Sequence, residues 1–364
     1  MILYRWFYCF YNCNNYCDNL NGLWEKLIMT KVVYKKFKSF NKYETITFTI
    51  GIILFILYIC TIFWKWYDQS YNIWNIYNKN PKIIEQIKEI ANNTANEIEK
   101  REVYSNLLPN ATTALWGGSS YFYTFISNIF LAACITFFPF FKNGKLAQRL
   151  YFSSIVFIIS VMLGFWTGIV FDPKLIGRLE EDNDFSRTII WHAIGPVLGI
   201  VTIFWERKSI RISNKAIWCL MIYPLIYSFF MISIYLFGYK FLNLHKQQFS
   251  PDFTNLFYDE SNPVPREFNS EINRGIVFYS VVSLIKPLGY EGPNNYVRAV
   301  LIIIMLSFIV LTCPIIGFII RRFLRIKQPN QKTLPKLIFL HKDSKLWIWL
   351  YNRRINKNKS KPNE

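Results

Sequence analysis

The chain of 364 residues is 52% hydrophobic and 19% aromatic, with a mean hydropathy of +0.17, and several of its apolar runs reach the roughly 20 residues that a helix needs to cross hydrocarbon. That composition excludes an ordinary soluble domain and points to an integral membrane protein. The net charge of +19, from 42 basic and 23 acidic residues, collects in loops and a tail beside the apolar runs, where topology and about 1 kcal/mol per basic residue from anionic headgroups account for it, so a nucleic-acid partner is not expected.

In chain order, residues 1–28 carry Cys9, Cys13 and Cys17 but lack the continuous apolar core of a signal peptide. The C-x3-C-x3-C spacing has no fourth ligand and is a weak zinc pattern. Met29 then opens MTKVVYKKFKSFNKY, which reads as an ordinary cytoplasmic start. Residues 1–28 are therefore either an over-extended reading frame or a metal-binding or palmitoylated cap.

The first span is expected at 45–64 (TITFTIGIILFILYICTIFW). After it, apolar residues at 83, 84, 87, 90, 91 and 95 fall on one helical face, predicting an amphipathic helix over 81–106 that lies on the membrane or covers the bundle. Further spans are expected at 119–141, 151–171, 187–205, 216–237 and 299–320. The polar, proline-bearing stretch 240–275 reads as an irregular lid, and IVFYSVVSL at 276–284 is too short to cross, so it reads as a re-entrant or interfacial piece. Tyr and Trp crowd the span ends, among them Trp64, Trp66, Tyr67, Tyr121, Tyr151, Trp205, Trp218 and Tyr239, as amphipathic rings do at headgroup level. Cys60, Cys134, Cys219 and Cys313 lie inside spans, where a cysteine behaves as a small apolar residue and implies no disulfide framework.

Basic residues near span ends stay cytoplasmic. Lys31, Lys35, Lys36, Lys38 and Lys42 precede the first span, Lys142, Lys145 and Arg149 follow the second, and Arg207, Lys208, Arg211 and Lys215 follow the fourth. The loops 65–118, 172–186 and 238–298 are mixed or acidic and would face outside. The expected architecture is all-α: a cytoplasmic segment 1–43, a six-helix transmembrane bundle over 44–321 with an outer helix 81–106 and an outer loop 238–298, and a basic cytoplasmic tail 322–364, with both termini inside. Abundant Lys, Asn, Ile, Phe and Tyr suggest AT-rich coding, hence a low-GC bacterium and its plasma membrane.

The chemistry-bearing residues are few. IIWHAIGPVLGI (189–200) sets His192 about five residues into the fourth span, roughly 8 Å below the outer boundary at 1.5 Å per residue. YFYTFISN (121–128) sets Thr124 at similar depth on the second span, with Ser127 and Asn128 at i+3 and i+4 on roughly the same face. An ionisable side chain within a span usually faces the bundle interior or a wet cavity, so an outward-opening polar pocket is one reading. The other is plain interhelical hydrogen bonding, worth about 0.6 kcal/mol on average. Gly195 and Pro196 would loosen or kink the helix just after His192. Asp172, at the outer end of the third span, would either orient the imidazole or face water. Only His245 could join His192 from the outer side, His341 being cytoplasmic, so neither a metal nor another cofactor is expected. The chain has no P-loop, GxGxxG, HExxH or GxSxG motif.

Four short motifs carry a resemblance: T-F-x-S-N (124–128), WHAIGPVLGI (191–200), YPLIYSFF (223–230) and IKPLGYEG (285–292). With six spans, they resemble a family of uncharacterised bacterial integral membrane proteins that is distantly similar to the androgen-induced-gene family of membrane lipid hydrolases. The resemblance covers about 119–320. It implies an intramembrane threonine and histidine as catalytic pair, cleaving fatty acid esters of hydroxy fatty acids, which places Thr124 and His192 in those roles and an acyl lipid as substrate. In that chemistry imidazole takes the hydroxyl proton, and Asn128, or a backbone N–H near Gly195 and Pro196, stabilises the oxyanion. Polar residues in interrupted helices also fit a small-molecule transporter or channel, and the outer helix and basic tail fit a noncatalytic scaffold for unidentified protein partners.

Overall fold

A backbone in hydrocarbon has no water to bond, so each apolar run closes its hydrogen bonds within itself as a helix. The computed structural model describes residues 35–94, 96–108, 122–171, 185–238, 282–284, 287–290 and 292–331. Cys9, Cys13, Cys17, Asp172, His245, His341, most of the loop 238–298 and the tail beyond 331 lie outside them. Six of the described helices are long and apolar enough to cross a membrane: α1 Lys42–Lys79, α4 Tyr123–Phe141, α5 Lys145–Val170, α6 Phe185–Glu206, α7 Asn214–Phe237 and α8 Asn295–Phe323. Two shorter helices, α2 Pro81–Asn92 and α3 Glu97–Leu107, follow α1. Among the described residues no strand forms, and an isolated bridge joins Arg211 to Lys327. The protein is an all-α six-helix membrane bundle.

The 38-residue α1 runs 15 residues past the expected end of its span. Hydropathy falls after Trp64, but WKWYDQSYNIWNIYNK contains no glycine or proline, and a helix continues until its backbone is interrupted. The interruption is Pro81, whose ring drives Asn80 out of the helical region to φ −127°, ψ 67°. The amphipathic stretch after it is two helices rather than one. The first ends at Asn92, and the Asn96 side chain, accepting from the amides of Ile98 and Glu99, opens α3 at Glu97.

Contacts give the register of the bundle. Thr47 meets Glu206 and Tyr58 meets Asn128, so α1 runs antiparallel to α4 and α6. The pairs Phe138–Tyr151 and Tyr123–Ser160 set α5 antiparallel to α4, while Ser127–Tyr223 and Tyr123–Tyr227 do the same for α7. The helices α4 and α6 therefore run in the same direction. Helix α4 is the central one, with 61% of its apolar window buried against 28–33% for the others. It packs in a core with Leu54, Tyr151, Phe152, Ile155, Ile203 and Leu220. Gly51 lets α1 approach α4 closely: a Cβ there would lie 2.6 Å from the amide nitrogen of Thr136.

Candidate functional site

The site is built around a proline. Pro196 offers no N–H to the carbonyls that precede it by four and five residues, His192 and Trp191. The helix answers with a wide turn: residues Ile190–Ile194 are π-helical, and the amide of Gly195 reaches back five residues to the Ile190 carbonyl. Two carbonyls are left to be satisfied from outside the helix. The Trp166 indole of α5 donates to the His192 carbonyl at 3.2 Å, and the Asn128 carboxamide of α4 donates to the Trp191 carbonyl at 3.1 Å. In a bilayer such repair is obligatory, since an unpaired carbonyl finds no water.

This turn aims the His192 ring. Its Nδ1 lies 3.0 Å from the Thr188 carbonyl, and a carbonyl only accepts, so in the neutral ring Nδ1 carries the proton and Nε2 presents its lone pair. Nε2 faces the Thr124 hydroxyl, with Oγ1 3.4 Å away, a long hydrogen bond donated by the threonine. Phe165 of α5 stacks on the imidazole at 3.9 Å between centroids and 19° between planes. Thr124 and His192 are both partly buried.

Thr124 stands in the first turn of α4 rather than several residues inside it. The helix starts at Tyr123, because Phe122 is extended at φ −68°, ψ 139°. No carbonyl within a helix can accept from its first-turn N–H groups, and those of Thr124 and Phe125 are two of them.

Ser127 and Asn128 do not share a face with a common role. Asn128, fully buried, sits one turn beyond Thr124 and faces α6 and α1. It donates to the Thr124 carbonyl at 2.8 Å as well as to Trp191, and its Oδ1 accepts from the Tyr58 hydroxyl at 2.5 Å. Both amide hydrogens are thereby committed, leaving none for an oxyanion. Ser127, also fully buried, faces α7 and lies 3.3 Å from the Tyr223 hydroxyl. Asp172 lies outside the described residues, and among them no group of three metal-ligating side chains occurs.

Tyr58, Phe165, Trp166 and Thr188 complete the site, although hydropathy patterning does not single them out. Tyr58 lies inside the apolar run ILFILYIC, where nothing local distinguishes it from its neighbours. The one legible signal is Pro196, whose missing N–H leaves the His192 carbonyl without its helical donor; that the Trp191 carbonyl also needs one follows from the wide turn.

A second polar cluster occupies the opposite end of the same helices. The Thr47 hydroxyl donates to Glu206 Oε1 at 2.8 Å and accepts from the Trp205 indole at 2.8 Å. Glu44 pairs with Lys142, and Tyr151 bonds Thr202 at 2.5 Å. No family model matches the chain, and neither a curated protein nor a solved structure does.

Proposed function

We propose that the protein is an intramembrane hydrolase of acyl-lipid esters with Thr124 as nucleophile and His192 as general base. The observation that carries this reading is the ordered pair itself: a hydroxyl 3.4 Å from an Nε2 whose lone pair is turned toward it by the Nδ1 contact to Thr188. A neutral imidazole has one donor and one acceptor nitrogen to satisfy. Here the donor nitrogen has a fixing carbonyl and the acceptor nitrogen faces a hydroxyl, which is the arrangement of nucleophilic acyl transfer. The motif resemblance to membrane lipid hydrolases assigns the same two residues.

In the first step Thr124 Oγ1 attacks the ester carbonyl while Nε2 takes the hydroxyl proton. The tetrahedral intermediate collapses, the C–O bond to the leaving alcohol breaks, and Nε2 returns the proton to the departing alkoxide. Water, deprotonated by the same nitrogen, then attacks the acyl-threonine and releases the fatty acid and the free Thr124 hydroxyl. With Asn128 committed elsewhere and the Tyr123 amide donating to the Tyr227 hydroxyl, we assign oxyanion stabilisation to the Thr124 and Phe125 N–H groups in the first turn of α4, at the positive end of its dipole. With the basic loops on the cytoplasmic side, the pair lies toward the outer leaflet of a plasma membrane.

The test is labelling of the protein in membranes by a lipophilic fluorophosphonate, which captures an activated hydroxyl. Labelling is expected on Thr124 and is expected to vanish in Thr124→Ala and His192→Gln. Absence of labelling in the wild type, or labelling that survives Thr124→Ala, overturns the reading.

A further inference from the structure

The distance between Thr124 and His192 is set across a helix–helix interface, and the backbone of each helix alone leaves it undetermined. A single side chain bridges the two backbones at the point that matters. Asn128 Nδ2 donates to the carbonyl of Thr124 itself and to the carbonyl of Trp191, the residue immediately before His192. The Asn128 carboxamide in turn has one acceptor oxygen, which the Tyr58 hydroxyl of α1 holds at 2.5 Å. Tyr58 is itself fixed: its ring is fully buried and stacks on Trp191 at 4.6 Å and 14°, and Trp191 also stacks on Phe125 at 5.4 Å. Gly195 makes room for this arrangement, since a Cβ there would meet the Tyr58 hydroxyl at 2.3 Å.

We infer that Asn128, oriented by Tyr58, is the positioning residue of the site: its carboxamide ties the Thr124 and Trp191 carbonyls together and so holds the wide turn that presents His192 Nε2 to the Thr124 hydroxyl. Asn128 touches neither reacting atom, and its effect passes entirely through the two backbones. An amide is required because both acceptors are carbonyls and the third partner is a hydroxyl donor; an aspartate would place a negative oxygen against a carbonyl, and an aliphatic residue would leave the Trp191 carbonyl unpaired in a bilayer. The inference rests on the hydrolase reading for its activity readout alone.

The test uses the full chain in lipid nanodiscs with 15N-labelled histidine. The sequence holds three histidines, His192, His245 and His341, so His192→Gln identifies the resonances of interest. In the wild type, His192 is expected as the Nδ1–H tautomer with an unprotonated Nε2. In Asn128→Leu the two nitrogens are expected to shift toward a mixture of tautomers, and fluorophosphonate labelling at Thr124 to fall by about a hundredfold, the effect of a misplacement near 1 Å. Tyr58→Phe keeps the stacked ring and both Asn128 donors, and is expected to move the same resonances less and to slow labelling by about tenfold or less. If Asn128→Leu does not fold, judged by helical circular dichroism and gel filtration, Tyr58→Phe decides alone. Unchanged His192 resonances in the folded variants overturn the inference, as does slower labelling with the tautomer intact, which would place Asn128 at the reacting atoms. Shifted resonances in a protein that never labels leave the positioning role standing and sink the hydrolase reading.

Discussion

Two polar clusters are strung on the same helices, and they are built differently. At one end, Thr47, Trp205 and Glu206 bond at 2.8 Å, Tyr151 and Thr202 at 2.5 Å, and Glu44 is closed by Lys142. At the other, Tyr58, Asn128 and the carbonyls of Thr124 and Trp191 are matched as tightly, but the contact they surround, Thr124 to His192, is the longest of the set at 3.4 Å. The first cluster is charged and saturated, so burial makes its groups hold the helices together. The second is neutral, partly accessible, and firm everywhere except at the pair that would react. A rigid frame around one loose, polarised contact is how a site differs from a strut.

The largest expected effect separates reactivity from stability. Thr124→Ala removes the labelled oxygen and should abolish fluorophosphonate labelling, while its melting temperature in detergent stays with that of the wild type. A large drop in melting temperature would make Thr124 a strut like Thr47 and erase the contrast. Next comes the charged end. Lys142→Met leaves Glu44 without that cation, and because the lysine side chain is 27% exposed the cost should be about 2 kcal/mol, below the 3–5 of a fully buried pair. The measurement is an SDS unfolding titration, with labelling at Thr124 unchanged at equal folded fraction.

Gly195→Ala tests the frame from the inside. Its Cβ displaces the Tyr58 hydroxyl, so it should cost about 1–2 kcal/mol by overpacking and, unlike the lysine variant, should also slow labelling. Smallest is Thr202→Val. The Thr202 hydroxyl donates to the Gly199 carbonyl at 2.6 Å, so Tyr151 is the donor in their shared bond; its loss leaves a fully buried phenol unpaired and should cost about 1 kcal/mol with no change in labelling. If Thr202→Val slowed labelling more than Gly195→Ala, the two clusters would be coupled rather than separate.

The fold was largely legible because lipid imposes a rule that acts on composition: a run of about twenty apolar residues must be helical. Boundaries were less so. The extra turns of α1 follow from helix propensity, which hydropathy does not measure, and the break between α2 and α3 follows from an asparagine cap. For the site, Thr124 and His192 stand out as polar residues in apolar runs, yet Ser127 and Asn128, adjacent in sequence, turn toward different helices, since successive residues on a helix point 100° apart and small offsets choose between neighbours.

From its residues alone the chain determines that it is a six-helix membrane protein, because backbone satisfaction in hydrocarbon is a local requirement that each segment meets by itself. Pro196 likewise determines locally that the His192 carbonyl loses its helical donor, and the wide turn adds the Trp191 carbonyl. Which donors receive them is a matter of helix–helix packing: only the assembled bundle brings Asn128, Trp166 and Tyr58 to that turn, 63, 26 and 70 positions apart along the chain in their bonded pairs, and only there does a threonine hydroxyl come to face the lone pair of an imidazole.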